Sequence, residues 1–390
     1  MVSNILVINC GSSSLKYALV SEKTDELRIQ GLAENLGSEN ARIKGITPTG
    51  ESFEQNVPNA DHEKALTIIL NGLADHKPDA IGHRIVHGGT ISESVLLTEE
   101  ALKRIQDAIP LAPLHNPANL LGVKATQTLF PDLPQVGVFD TAFHQSMPAH
   151  AYRYAVPKFL YTEHNVRRYG FHGTSHAFVS ERGSELAGAK NQGGWLTAHL
   201  GNGSSTCAIW NGKSVDTSMG LTPLEGLVMG TRSGDVDPSL HNFIATNLGW
   251  DLAKVTKMLN NESGLLGLSG VSNDMRTLME AADNGNEDAV LAIEVFCYRL
   301  AKSLAGVSCG LPKIDGLIFT GGIGENAALI REKTVGYLGN LGFNISKEKN
   351  DSLKRGTAGQ VDAGTGPQIW VVPTDEEGRI AQETRAVAKV

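Results

Sequence analysis

Residues 5–20, ILVINCGSSSLKYALV, set the tightest constraint on what this chain can fold into, because their pattern recurs at a constant offset in residues 195–210, WLTAHLGNGSSTCAIW. In both copies an apolar, β-rich run enters a small-residue turn and a second apolar run leaves it. Gly11 aligns with Gly201, Ser14 with Ser204, Ala18 with Ala208 and Leu19 with Ile209. Two runs joined by a short Gly/Ser turn predict a β-hairpin. Such a turn leaves backbone N–H groups and hydroxyls bare, which suits a phosphate. One hairpin of this kind is equally well explained as a plain surface turn. Two in register predict a duplicated α/β chain with its phosphate-contacting turns facing a cleft, and so a nucleotide-handling enzyme.

At 390 residues the chain exceeds one comfortable core, and two domains are expected. Its 43 glycines cluster between apolar runs, as turns and close ligand approach require. The net charge of −8 excludes a nucleic-acid groove, so an anionic substrate must be met by local cations. Cys10, Cys207, Cys297 and Cys309 form no CxxC pair and read as reduced thiols of a cytoplasmic protein. MVSNILVINCG lacks a basic leader and reads as a strand rather than a signal peptide. No apolar run is long enough to span a membrane.

Apolar spacing predicts helices over 63–74, 99–109, 238–248, 252–260 and 287–304, and a terminal helix over 377–390. Strands are predicted at 80–86, 135–139, 315–320, 343–345 and 368–372, and residues 21–62 read as a polar segment with Gly and Pro turns. Residues 141–175 read as a crossing region dense in aromatics and histidine.

Three segments have the composition of nucleotide contacts: NCGSSSLK (9–16), HLGNGSS (199–205) and TGGIGENA (320–327), the last following a strand and opening a helix. As a dinucleotide fingerprint, Gly322-x-Gly324-x-x-Ala327 is only partial, and Ser346 and Lys347 follow the next strand where a ribose-binding acid belongs. Gly212-Lys213-Ser214 lacks the glycine of a P-loop, since Cys207 stands in its place. Arg84 (GHRIVHGG) and Arg232 (MGTRSGDVDP) lie beside small residues, where a guanidinium grips a carboxylate or phosphate, or forms a structural ion pair. Asp140 ends a strand, either as a functional acid or as a helix cap. His83/His87 and His172/His176 show i,i+4 spacing, but Arg84 and Gly173 occupy the position where a zinc hydrolase needs glutamate. In TDEEGRIA (374–381) a helix start accounts for two of three acids, and the third suits Mg²⁺.

Together NCGSSSLKY, HRIVHGG, LAPLHNP, FDTAFH, RYGFHGTSH, HLGNGSS, GTRSGDVDP, FTGGIGEN and PTDEE resemble the acetate kinase family, within the superfamily of acetate and sugar kinases, Hsp70 and actin. The segments occur in the family's order across nearly the whole chain. The resemblance implies two duplicated ribonuclease-H-like, actin-type α/β domains around a central cleft. Residues 1–145, completed by a helix over 377–390, would form the first and 146–376 the nucleotide-binding second. By the same resemblance Arg84 and Arg232 bind the carboxylate and the transferring phosphoryl group, His172 stabilises the transition state, and Asp140 is the essential acid. Asn9 and Glu376 position Mg²⁺ (or Mn²⁺), while Ser12, Ser14 and Lys16 line the phosphate path. His199, Leu200, Gly201, Asn202 and Gly203, with Asp274, Met275 and Arg276, and Gly322, Ile323, Gly324, Glu325 and Asn326, hold ATP or ADP. Val86, Leu114, Phe171 and Pro223 match the acyl pocket, and Val86 favours acetate over propionate. Gly378 departs from the bulky apolar residue common there, which puts the hinge near Glu376 in question. A homodimer in the cytoplasm is implied, with small-molecule substrates only and no nucleic-acid or membrane partner. An Hsp70- or actin-like ATPase and a sugar kinase are the competing classes; two arginines suited to a small anionic acceptor argue against both.

Overall fold

The computed structural model describes residues 3–21, 28–47, 49–73, 76–113 and 115–390. The chain divides into two compact units, residues 1–145 with 375–390, and residues 146–374.

The first unit is built on an eight-stranded sheet. Its strands are β1 (Asn4–Cys10), β2 (Leu15–Ser21), β3 (Arg28–Glu34), β4 (Arg42–Ile46), β5 (Ser52–Asn56), β6 (Ala80–Ile85), β7 (Val95–Leu96) and β8 (Gln135–Phe139), in the order β5-β4-β3-β2-β1-β6-β8-β7. β1 to β5 form an antiparallel meander, and β6 and β8 run parallel to β1. Both faces of β1 are covered, which is why its sequence is a continuous apolar run. Leu6 and Ile8 pack with Leu66 and Ile69 of the helix His62–Gly72. Ile5 and Val7 pack with Ile380 and Ala381 of the terminal helix Glu376–Ala388. That helix lies so close to β6 that a Cβ on Gly82 would sit 2.3 Å from Thr384 Oγ1.

The second unit carries six strands, β9 (Gly194–Leu200), β10 (Ser204–Trp210), β11 (Lys213–Thr217), β12 (Gly316–Thr320), β13 (Gly359–Gln360) and β14 (Gln368–Val371), in the order β11-β10-β9-β12-β14-β13. β12 and β14 run parallel to β9. On one face Leu196, Ala198 and Leu200 pack against the helix Glu287–Val307. On the other, Gly183 of the helix Gly173–Leu186 approaches Ile318 so closely that its Cβ would lie 2.5 Å from Cδ1.

The five-strand core β3-β2-β1-β6-β8 has its counterpart in β11-β10-β9-β12-β14, so the duplication is architectural. The register refines it. Cys10 pairs with Leu15 across a four-residue turn, whereas Leu200 pairs with Ser204 across three residues. The constant sequence offset therefore holds for the first strand of each hairpin and slips by one in the second. Leu15, not Ser14, is the equivalent of Ser204, and Ala18 corresponds to Cys207 rather than Ala208.

Predicted helices and strands fall within a few residues of those observed, and the helix starts are fixed by Asp61, Thr98, Asp251 and Asn286, whose side chains accept backbone N–H groups as caps. Two expectations fail. The polar segment 21–62 contains β3, β4 and β5 among its described residues, and 343–345 is not a strand but a single bridge, Ile345 to Asp362. Cys10, Cys207 and Cys297 are buried free thiols and Cys309 is exposed. Among the described residues no helix is long and apolar enough to cross a membrane.

Candidate active site

In the first unit the site grows from the C-terminal ends of parallel strands. β6 and β8 are neighbours in register, Ile85 opposite Phe139, so Arg84 and Asp140 emerge side by side. Arg84 Nε and Nη2 donate to Asp140 Oδ1 and Oδ2 at 2.9 and 2.8 Å, a bidentate pair whose carboxylate is almost fully buried. Asp140 is thus the ion-pair partner of Arg84. Burial works against charge on Arg84, but the carboxylates of Asp140 and Glu376 outweigh it and hold the guanidinium above its ordinary pKa. Glu376, first residue of the terminal helix, lies 4.0 Å from Arg84 Nε. Asp375 caps that helix by accepting from Gly378 N–H at 3.0 Å. A Cβ at Gly378 would meet the Asp375 carboxylate at 2.2 Å, so the unusual glycine is matched to this cap.

The first hairpin turn closes through Gly11 N–H to Ser14 C=O at 2.8 Å and leaves Ser12 exposed. Asn9 and Lys16 face each other in the β1–β2 register, and Lys16 pairs with Glu377. Sequence reasoning missed the two buried amides that order this end of the unit. Asn119 accepts from Val86 N–H at 3.0 Å and donates to Cys10 C=O at 2.8 Å; Asn116 accepts from His87 N–H at 3.1 Å. Both stand on the helix Asn116–Leu129, and Asn-Pro opening an apolar-periodic stretch was the available signal. Val86 is buried, and Leu114 lies outside the described residues.

In the second unit His172 occupies the left-handed region (φ +57°) at the start of the helix Gly173–Leu186, a conformation that costs a non-glycine residue on the order of 1 kcal/mol. A Cβ at Gly203 would lie 3.3 Å from His172 Nε2 and 3.2 Å from Arg232 Nη2, so imidazole and guanidinium converge on the second hairpin turn. Arg232 Nη1 donates to the Pro223 carbonyl at 2.7 Å. Pro223 is held by its own loop. Arg168 donates to the carbonyls of Thr217, Ser218 and Met219 and pairs with Glu225. Phe171 is buried just before His172.

A cavity of about 760 Å³ is lined by Gly201, Asn202, Asp274, Met275, Arg276, Gly322, Ile323 and Asn326, among others. Asp274 caps the helix Met275–Asp283 and pairs with Arg276. Five residues expected with them lie elsewhere. Leu200 is in the core, and His199 packs against His172 with the rings tilted and their centroids 4.3 Å apart. Gly203 faces Arg232, and Gly324 is buried against Phe319 and Ala198. Glu325 turns inward to accept from Gly321 N–H and Thr374 N–H at 3.0 and 3.1 Å.

Two α/β units with one strand order, each carrying a small-residue hairpin turn and cationic side chains, define a small-molecule phosphotransferase. The comparisons sharpen this. The acetokinase family model matches residues 4–382. An acetate kinase of Stutzerimonas stutzeri is 61% identical over 389 residues, covering 98% of each chain. Among solved structures, a propionate kinase from Francisella tularensis superposes with a TM-score of 0.94 at 46% identity, covering 99% of this chain and 100% of that one. Porphyromonas gingivalis acetate kinase gives 0.93 at 44%, covering 99% of each. The chain belongs to the acetokinase family.

Proposed function

We propose that this protein transfers the γ-phosphoryl group of ATP to acetate, reversibly, giving acetyl phosphate and ADP by direct in-line displacement. The observation that carries the reading is the Arg84–Asp140 pair beside Val86, a fixed guanidinium next to a small apolar surface. Acetate is ionised at neutral pH, so it needs a cation and no base. Asp140, paired with Arg84 through both oxygens, orients that cation rather than removing a proton. Phosphoryl transfer asks for positioning and charge neutralisation more than covalent chemistry. Arg232 and His172 supply these on the phosphoryl side, Ser12, Ser14 and Lys16 on the phosphate path. The 760 Å³ cavity takes the nucleotide.

The Asn9 amide oxygen and the Glu376 carboxylate are the hard oxygen donors that Mg²⁺ or Mn²⁺ prefers. Among the described residues no cluster of three His, Cys, Asp or Glu forms a cage of its own, which suits a metal carried largely on phosphates. When bound, the metal neutralises phosphate charge.

Propionate is the second reading, because a propionate kinase is among the structures that superpose best. One methylene shifts binding by only about 1–3 kcal/mol, so activity on both acids is expected. A cytoplasmic homodimer accompanies this reading on the family resemblance, and light scattering of the purified protein tests the dimer.

The deciding experiment is acyl phosphate formation from ATP and Mg²⁺ with acetate, propionate or butyrate, trapped as hydroxamate. Acetate best supports the proposal, and propionate best keeps the mechanism but overturns the reading of the pocket. ATP hydrolysis without any acyl phosphate sinks the kinase assignment.

A further inference from the structure

Behind His172 lies a set of buried hydroxyl and imidazole groups that no role above employs. Ser205 Oγ sits 2.9 Å from His172 Nδ1 and 2.7 Å from His176 Nε2. His176 Nδ1 in turn lies 2.7 Å from Thr197 Oγ1. His176, Ser205 and Thr197 are wholly buried. The i,i+4 histidine spacing that resembles a zinc pair thus converges on one serine hydroxyl.

Proton counting fixes the direction of this chain. The Thr197 hydroxyl has one proton and two acceptors within reach, His176 Nδ1 at 2.7 Å and the Cys207 carbonyl at 3.5 Å. The second is at the outer limit of a hydrogen bond, so the proton goes to His176 Nδ1. Neutral His176 then carries its own proton on Nε2 and donates to Ser205. The single Ser205 proton is left to donate to His172 Nδ1, which places the proton of neutral His172 on Nε2. That nitrogen faces the Gly203 turn together with Arg232 Nη2. The opposite direction would strand the Thr197 proton on the 3.5 Å contact and aim a lone pair at the site. In a buried network each such choice constrains the next.

We infer that Thr197, His176 and Ser205 form a positioning relay that holds His172 as the Nε2–H tautomer, ready to donate to an oxygen of the transferring phosphoryl group. The purpose assigned to the donor rests on the kinase reading; the tautomer itself does not.

The test uses full-length protein with ¹⁵N-labelled histidine, free of ligands, and two-bond ¹H–¹⁵N correlation spectra in which His172→Gln assigns the His172 signals. The wild type is expected to show protonated Nε2 and unprotonated Nδ1 at His172. Thr197→Val, nearly isosteric, should mix the two tautomers and lower kcat about fivefold, the size of one hydrogen bond. KM for acetate and ATP should stay close to wild type, the Tm should fall by the few degrees that one lost buried hydrogen bond costs, and Thr197→Ser should restore spectrum, rate and Tm. Ser205→Ala should act in the same direction, about tenfold, if it leaves the terminal donor unoriented. A wild-type His172 protonated on Nδ1, or a Thr197→Val protein with unchanged tautomer and kcat, would overturn the relay. Absence of acyl phosphate from the wild type would overturn the kinase reading instead, while the spectrum still decides the relay.

Discussion

The two units share a five-strand core but hold their arginines in opposite ways. In the first, Arg84 donates to both oxygens of a buried carboxylate; in the second, Arg232 donates to the neutral carbonyl of Pro223. A buried ion pair is costly to break because the surviving charge is left without a partner, whereas a carbonyl released from a guanidinium loses one bond. On the proposed reading, a carboxylate acceptor that arrives charged meets the first arginine and the transferring phosphoryl group meets the second.

The sharpest way to break that contrast is to truncate each arginine. Arg84→Ala and Arg232→Ala should both lower kcat/KM on the order of 10³-fold, comparable to removing a key electrostatic group. Arg84→Ala should also destabilise the protein more than Arg232→Ala does, by about 3–5 kcal/mol, as it takes the bidentate cation from buried Asp140. Equal stability losses in urea titrations would erase the distinction.

Acid should act on the first unit next. Burial holds His83 and His87 neutral, at about 4, below the ordinary histidine value. Their folded pKa lies below the unfolded one, so the stability they confer is full above about pH 6.5 and is lost as pH falls toward 4. Near pH 5 the loss amounts to about 2 kcal/mol each. Urea midpoints at pH 7 and 5 measure it, and a His83→Gln, His87→Gln protein should show a flatter dependence.

The close helix–sheet approaches give a smaller test. Gly82→Ala should cost about 2–3 kcal/mol, because the new methyl meets Thr384 Oγ1 at 2.3 Å and Ile380 Cγ2 at 2.8 Å. Gly183→Ala should cost less, since it meets the movable end of Ile318 and gains about 1 kcal/mol of helix propensity. Thermal unfolding of the two variants separates them. Gly378→Ala should be the mildest, within about 1 kcal/mol, as helix propensity offsets displacement of the Asp375 carboxylate.

Both hairpins and the buried strands of the core were legible because each is a short apolar run bounded by Gly or Asp. β3 to β5 were not: β3 carries Gln30 and Glu34 among its small and apolar residues, and SFEQN, at the sheet's edge, is exposed at four of five positions, so such strands look like loops. The one-residue slip between the hairpins was invisible because Gly and Ser recur within both turns, so the letters align where the register does not. For the site, Arg84, Asp140, His172 and Arg232 stood out through their flanking glycines and strand ends. Their partners did not. Asn119, Thr197, Ser205 and Glu325 act through contacts between residues about 20 to 110 positions apart or through a backbone turn, and nothing local marks them.

The terminal helix carries a consequence for how the protein is made. Ile380, Ala381 and Thr384 complete a face of the first sheet, yet they follow every residue of the second unit in the chain. In order of synthesis the last residue of the second unit is added before the helix that covers one side of the first. Birth order is thereby reversed: the unit begun first is the last able to close.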